Sequence, residues 1–516
     1  MIRKTTARLD RPALVLAVAG LLALAAGAAA AEKAGEASWE QMWEHWYVLE
    51  LAGAPAGWSR EIVSSDGRRY RTETKMKMKV GRGAIPVEIN LLSAWVETHD
   101  GEPVEMHYVQ DMALQSVETR WRFAADHVES ITRHGDREIK RKLELPEPGW
   151  LPPLAAHEYW KQRRQAGATT VTTRTLSGES GLKPVEITYE LTGEEQMEFK
   201  GRKMPVTVWK TTNDQMPEVA LTSKFSSDGH LVYQQVSMGV ATLVMKIATK
   251  EQALGVEREP APELMLQTFI EVEKPIARPR EARAATYRLR VKDGAFPELP
   301  SAGAQRFAPA RPENTAIVRL DMTDNLPATE AERADAAYLD ASALVDTDDV
   351  LIAALVKRAC KDAGEVPMRR ADAMRAFVHK HISAKDLDTA FATASETARM
   401  RTGDCSEHGV LLCAMLRSDG IPARAASGLV YADSFAGESD IFGWHMWTQG
   451  LIDGKWVDFD ATLDRRFDAA HVLIGTSSLA EGTLSTDLAS AINLLGNLEI
   501  DVLEVVYPQE TDAVLR

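Results

Sequence analysis

Three short stretches constrain this chain more than anything in its composition: Gly403-Asp404-Cys405-Ser406-Glu407-His408-Gly409, Gly443-Trp444-His445-Met446-Trp447 and Trp456-Val457-Asp458-Phe459-Asp460-Ala461-Thr462. In order they supply a thiol, an imidazole and a carboxylate. Nucleophilic acyl transfer needs that set: a nucleophile, a base to take its proton, and an acceptor to fix the base's tautomer. Any fold for this chain has to be judged by whether it brings the three together.

Cys405 falls at a predicted helix start. Leu412, Cys413 and Leu416 are apolar at helical spacing, and Gly420 and Pro422 stop the run. Asp404 suits the N-cap, and Glu407 three residues on gives capping-box spacing. A thiol in that first turn faces free backbone N–H groups and the positive end of the helix dipole, which stabilise a thiolate. The same N–H groups suit an oxyanion. The plainer reading is a small buried hydrophobe; the polar neighbours on both sides argue against it.

His445 and Asp460 flank Asp453-Gly454, the strongest short hairpin signal. A two-residue turn there pairs Ile452 with Lys455, which puts Trp447 opposite Asp460 and His445 opposite Thr462. Side chains alternate, so His445 and Asp460 share a face as diagonal neighbours, roughly 7–8 Å apart at the backbone. Asp458 shares that face one diagonal further away, so the register selects Asp460.

These three stretches resemble the core motifs of the bacterial transglutaminase-like family, a papain-like cysteine superfamily. The resemblance covers roughly residues 335–516. It implies Cys405 as nucleophile, His445 as base and Asp460 as orienting acid, with Ala461 standing where the family usually has proline. It does not fix the substrate, because the family includes transamidases, proteases, amidases and catalytically idle members.

Other residues near the motifs carry weaker signals. His408 lies on nearly the same helical face as Cys405, and with Asp404 and Glu407 is expected to support the site. Trp444 and Trp447 flank His445, either shielding it, offering an indole N–H to an oxyanion, or packing as ordinary sheet residues. Cys405, His408 and His445 lack the paired-cysteine spacing of a zinc site, so neither metal nor cofactor is expected. His379 and His381 read as solvated or dipole-favoured side chains at a helix end. No Gly-x-Ser-x-Gly elbow occurs for serine catalysis. With three cysteines there is no disulfide framework; Cys413 is about 12 Å along the helix from Cys405, and Cys360 reads as core.

Residues 1–31 combine Arg3, Lys4, Arg8 and Arg11 with an apolar run from Pro12 to Ala26 and small residues through Ala31. That is the pattern of a signal peptide, with membrane tethering expected only if it stays uncleaved. The net charge is −15. Loss of residues 1–31 would remove four basic residues and one acid, leaving −18. An acidic exported chain does not suit nucleic acid or anionic lipid. A periplasmic or extracellular location is expected.

Residues 32–255 read as antiparallel β. Lys75–Val80 and Glu186–Leu191 alternate strictly, and Asp66-Gly67, Asp100-Gly101 and Asp228-Gly229 mark hairpins. One helix interrupts near Leu154–Gln165. So long a sheet must curl or pack on itself, in an architecture like the half-barrels of exported lipid or lipoprotein carriers. Met76, Met78, Trp95, Met106 and Trp121 would form its buried face rather than a ligand cavity. Residues 256–284 are rich in proline and charge and read as a linker. Strands at Thr286–Val291 and Thr315–Leu320 form a small β segment (285–334) leading into the next domain.

Residues 335–516 predict helices over Val350–Asp362 and Arg369–Ile382, the Cys405 helix, strands near Arg424–Tyr431, Trp444–Leu451 and Lys455–Asp460, a helix over Ser485–Leu495 and a strand over Leu498–Val506. The fold class is α+β: a C-terminal transglutaminase-like (papain-like) domain preceded by a large antiparallel β-rich domain. The expected activity is cysteine-dependent acyl transfer, most simply hydrolysis of peptide-like amides through a thioacyl-enzyme, on a peptide, protein or cell-wall component. The alternatives are a transamidase, and a non-catalytic scaffold whose β-rich domain holds a lipid or protein partner.

Overall fold

The computed structural model describes residues 39–508, apart from 83–84, 113–114, 135–136, 217–218, 239–240, 264, 386–391 and 481–493. The expected signal segment and most of the expected helix at Ser485–Leu495 lie outside the described residues. The described chain divides into two compact units, before and after the boundary between residues 264 and 265. No helix among the described residues is long and apolar enough to cross a membrane.

The N-terminal unit is one antiparallel sheet. Its strands are β1 (Glu40–Leu51), β2 (Ala54–Ser65), β3 (Arg69–Arg82), β4 (Ile85–Thr98), β5 (Pro103–Met112), β6 (Gln115–Phe123), β7 (Val128–His134) and β8 (Arg137–Leu143), then, after helix α1 (Pro153–Gln165), β9 (Thr170–Thr175), β10 (Val185–Phe199), β11 (Arg202–Asn213), β12 (Leu221–Ser226), β13 (Leu231–Met238) and β14 (Ala241–Ala248). A short helix α2 (Lys250–Gly255) follows. The sheet order is β8 to β1, then β14 to β9. Every neighbouring pair is sequence-adjacent except β1 with β14, where Trp46 meets Ala248.

The Asp-Gly turns form where the sequence puts them. Gly67, Gly101 and Gly229 have φ of +82°, +81° and +93°, which glycine reaches without penalty. Asp66 reinforces the first by accepting from the backbone N–H groups of Arg68 and Arg69 at 2.9 and 2.7 Å. Alternation in β3 buries Met76, Met78 and Val80, and Trp95, Met106 and Trp121 are buried with them. Helix α1 packs Trp160 against Val171, Trp209 and Phe225. Its N-terminus is held by Glu97 of β4, which accepts from Leu154 and Ala155 N–H at 3.2 and 2.9 Å. A cavity of about 140 Å³ remains between α1 and the sheet, lined by Glu61, Trp95, His157 and Gln234 among others.

The C-terminal unit begins earlier than the sequence suggests. Residues 265–284 are not an open linker: β15 (Ile270–Glu271) pairs with Phe442 and Ile441, and Ile270, Val272 and Ile276 are buried. Prolines and charges imitate a linker here because the pairing is only two residues long. Next come β16 (Ala284–Val291), β17 (Gln305–Pro309) and β18 (Thr315–Asp321), then α3 (Glu330–Ala334), α4 (Val350–Ala359), α5 (Pro367–His381), α6 (Ala394–Met400) and α7 (Cys405–Ser418). Strands β19 (Ala423–Phe435), β20 (Glu438–Ile452), β21 (Lys455–Phe459), β22 (His471–Ser477) and β23 (Leu498–Val506) complete it.

Strand β23 pairs with β16, so the presumed lead-in segment belongs to a four-stranded sheet ordered β17-β18-β16-β23. It is part of this unit rather than a preface to it. A second sheet runs β15-β20-β19-β22, with β21 on β20. The two sheets are tied by Gln305, whose amide both donates to and accepts from the backbone of Leu473 at 2.8 Å. Tyr287 adds a ring contact to Phe442 at 5.4 Å.

Candidate functional site

Helix α7 starts at Cys405, with Asp404 as its N-cap and a complete capping box. Asp404 accepts from Ser406 N–H at 2.8 Å, and Glu407 accepts from Asp404 N–H at 2.9 Å. Glu407 also accepts from Ala392 N–H at 3.1 Å. Burial and the adjacent Asp404 push its carboxyl up to about 8. These supporting acids therefore fix the backbone that carries the thiol. His408 donates Nδ1–H to Asp404 O at 2.6 Å. Burial and Lys385 push it down to about 3, with Asp460 acting in the opposite sense.

The helix lies on β20 through Gly409, whose carbonyl accepts from Thr448 Oγ1 at 2.9 Å. A β-carbon at Gly409 would come within 3.0 Å of Met446. That contact brings the strand carrying His445 against the helix carrying Cys405.

The Asp453-Gly454 turn has φ of +51° and +74°, as a two-residue type I′ hairpin requires. Ile452 pairs with Lys455, and the register continues to Thr448 opposite Phe459. Pairing stops there, so Trp447–Asp460 and His445–Thr462 do not form as ladder pairs. Asp460 instead turns off the strand end, anchored by Thr462 N–H at 2.7 Å, and its Oδ2 meets His445 Nε2 at 2.9 Å. Asp460 accepts on both oxygens, which fixes the Nε2–H tautomer and leaves a lone pair on Nδ1. Nδ1 of His445 is buried and has no hydrogen-bond partner among the described residues. Cys405, His445 and Asp460 are each 0% exposed.

Asp458 has a different fate. It accepts from Trp447 Nε1–H and Gln449 Nε2–H, both at 2.8 Å, and burial raises its carboxyl above the usual range. The Trp447 indole is therefore spent on Asp458 and is not an oxyanion donor. Trp444 Nε1 is buried and unpartnered among the described residues. His381 is buried and His379 half-buried rather than fully solvated: they bond to the carbonyls of Ala398 and Ala461 at 2.8 and 3.1 Å, and burial lowers both. Cys360, Cys405 and Cys413 are unbridged and buried.

Sequence reasoning missed His471, at the start of β22. Its Nε2 lies 3.4 Å from Asp460 Oδ2, and its Nδ1 lies 3.1 Å from both the carbonyl and the carboxylate of Asp468. Only an Asp-x-x-His spacing marks it in the sequence, and that pattern is too common to select. Burial opposes ionisation of Asp460, but the His445 and His471 imidazoles outweigh it and hold the carboxyl well below the usual range. His445, Asp460 and His471 each offer an atom within 4.8 Å of the others, a spacing that meets the distance condition for a metal ion. The hydrogen bonds that join them give the same proximity, and we read the group as hydrogen-bonded rather than metal-binding. A cleft of about 580 Å³ lies alongside, lined by Asp372 and Arg375 of α5, Asp458 and Phe459 of β21, and Phe467.

Residues 355–461 match the family model described as the transglutaminase-like superfamily. The C-terminal unit thus contains a transglutaminase-like domain, and the matched span includes Cys405, His445 and Asp460. No curated protein matches the chain. Among solved structures, a β-barrel-like protein of a domain of unknown function from Brucella abortus is similar at 14% identity, covering 40% of this chain and 95% of that one, with a TM-score of 0.31. The periplasmic domain of TgpA from Pseudomonas aeruginosa, bound to ethylmercury, is similar at 16% identity, covering 36% of this chain and 92% of that one, with a TM-score of 0.23. Likenesses this distant decide nothing about chemistry.

Proposed function

We propose that the chain is an exported cysteine-dependent acyl-transfer enzyme that hydrolyses peptide-like amide bonds. The observation that carries this reading is the fully buried His445–Asp460 pair at 2.9 Å, with Nδ1 of His445 left without a partner among the described residues. Cys405 gives its proton to that nitrogen and attacks the amide carbonyl, forming a thioester as the C–N bond breaks. The His445 imidazolium protonates the departing amine. Water then attacks the thioester, His445 takes its proton, and the acid is released as Cys405 recovers its own. Asp404 takes the N–H groups of Ser406 and Glu407, so the oxyanion falls to the backbone N–H of Cys405. An amine in place of water would make the enzyme a transamidase.

The complete burial of Cys405 favours a second reading, in which the domain is closed and idle and the chain acts as a scaffold. Alkylation of each cysteine against pH, read by mass spectrometry, separates the two. Catalysis requires Cys405 to react well below a free-thiol pKa of about 8.5, and His445→Ala to abolish that advantage. A Cys405 that titrates as an ordinary thiol, or stays unreactive throughout, removes the enzyme reading.

A further inference from the structure

We propose that Asp468 and His471 extend the Asp460–His445 pair into a buried relay, with a standing imidazolium at His471 that makes His445 a readier proton donor. This rests on the proposed catalytic role of His445. The argument is one of donors and acceptors. Both nitrogens of His471 face only oxygens that accept: Nε2 faces Asp460 Oδ2 at 3.4 Å, and Nδ1 faces Asp468 O and Oδ1 at 3.1 Å each. A neutral imidazole carries one N–H and would turn its other lone pair against an oxygen. Only the protonated ring satisfies both sides. His445 is the opposite case, with one nitrogen on a carboxylate and the other unpartnered among the described residues.

The surroundings support the charge. Asp468 is 2% exposed and is itself held by Arg280 at 2.9 Å and by Ala470 N–H at 2.9 Å. Two carboxylates (Asp460, Asp468) then face two cations, the buried His471 and the half-buried Arg280. Asp458 on β21 adds attraction, Phe467 packs against the ring at 4.2 Å, and Trp447 meets it in a T-shaped contact at 5.5 Å. Burial alone would lower His471, yet Asp468 and Asp460 outweigh burial and Arg280, and its affinity for the proton is raised.

The functional consequence falls on His445, whose ring lies 5.9 Å from His471. Asp460 is shared between the two rings. A second positive charge on His445 is opposed by the first, so the imidazolium formed when Cys405 ionises gives its proton up more readily to a leaving amine.

The test is the rate of Cys405 alkylation by iodoacetate against pH on the full chain. An anionic reagent reads the thiolate–imidazolium pair: the rate rises as the thiol ionises and falls as His445 loses its proton. In His471→Gln the falling limb should move up by about one pH unit, the size expected for removing a charge about 6 Å away at an effective dielectric of several tens. Asp468→Asn, which withdraws the carboxylate that keeps His471 charged, should move it the same way. A falling limb that stays in place in both variants, with at most a uniform loss of rate, overturns the relay. If the unmodified protein shows no thiolate–imidazolium profile at all, the catalytic reading of His445 fails instead. NMR of ring-labelled histidine gives an independent check: His471 should keep its proton to a higher pH than an ordinary imidazole of about 6.5, and a His471 that loses it at or below that pH also overturns the relay.

Discussion

The two units bury carboxyl groups in opposite ways. In the N-terminal sheet, Glu61, Glu97 and Glu179 meet neutral donors: a tyrosine hydroxyl for Glu61, helix N–H groups for Glu97, and the Tyr108 hydroxyl for Glu179. Burial dominates, pushing them up to about 8, 7 and 7. In the C-terminal unit, Asp460 and Asp468 meet cations or imidazoles, and Asp460 stays ionised despite complete burial. Burial alone neutralises an acid, whereas burial beside a positive partner preserves its charge. Glu407 shows that the partner decides rather than the unit, because it lies in the C-terminal unit beside another acid and is pushed up to about 8.

The sharpest way to break this comparison is to turn a carboxylate into an amide in each unit. Asp460→Asn removes a working charge and lets the amide impose the wrong His445 tautomer. Cys405 turnover should fall by about 10³–10⁴-fold, and thermal unfolding of the C-terminal unit should come earlier. Glu61→Gln should do the reverse. An acid whose folded pKa is raised resists ionisation in the fold, so its contribution worsens as pH rises from its unfolded value of about 4.5 towards 8. The glutamine variant should therefore match the parent at pH 4 and gain on it by about 1.4 kcal/mol per pH unit up to pH 8. Equal unfolding temperatures at pH 8 would show that Glu61 is stabilised by something other than a proton.

Two glycines give a smaller, steric version of the contrast. A β-carbon at Gly428 would stand 2.0 Å from Val472 O and 2.9 Å from Trp447; one at Gly57 would stand 2.0 Å from Lys77 O. Each Gly→Ala substitution should cost its own unit about 3 kcal/mol. Gly428→Ala should also remove selective Cys405 alkylation, and Gly57→Ala should leave that profile in place. The smallest expected effect is on the remaining thiols. Burial raises Cys360 and Cys413 above the ordinary range, so both should alkylate more slowly than Cys405 at neutral pH. A Cys413 that reacts first would invalidate the assignment of the nucleophile.

What could be read from the sequence was set by local chemistry. Asp453-Gly454 must turn with both residues at positive φ, so the register of β20 and β21 follows by counting. Asp404 and Glu407 cap a helix by their spacing alone, and the alternation of Lys75–Val80 specifies which face is buried. His471 was not legible because it reaches Asp460 through tertiary packing, across a segment with no periodic signal. Residues 265–284 and strand β17 were missed for a related reason. Short strands with prolines look like connectors until a distant partner, such as Phe442 or Leu320, supplies the other half of the ladder. The trimming of β21 at Phe459 was equally hidden, since nothing local says where a ladder will be abandoned.

The pairing of β1 with β14 has a consequence for how the N-terminal sheet is assembled. Each arm, β1 to β8 and β9 to β14, can zip hairpin by hairpin as it leaves the machinery that makes or moves it. Such local contacts carry little loop-closure entropy. Joining Trp46 to Ala248 has to wait until the whole intervening chain is present. Until that late event, two long strand edges stand open at once, so self-association should be strongest in the interval before β14 finds β1.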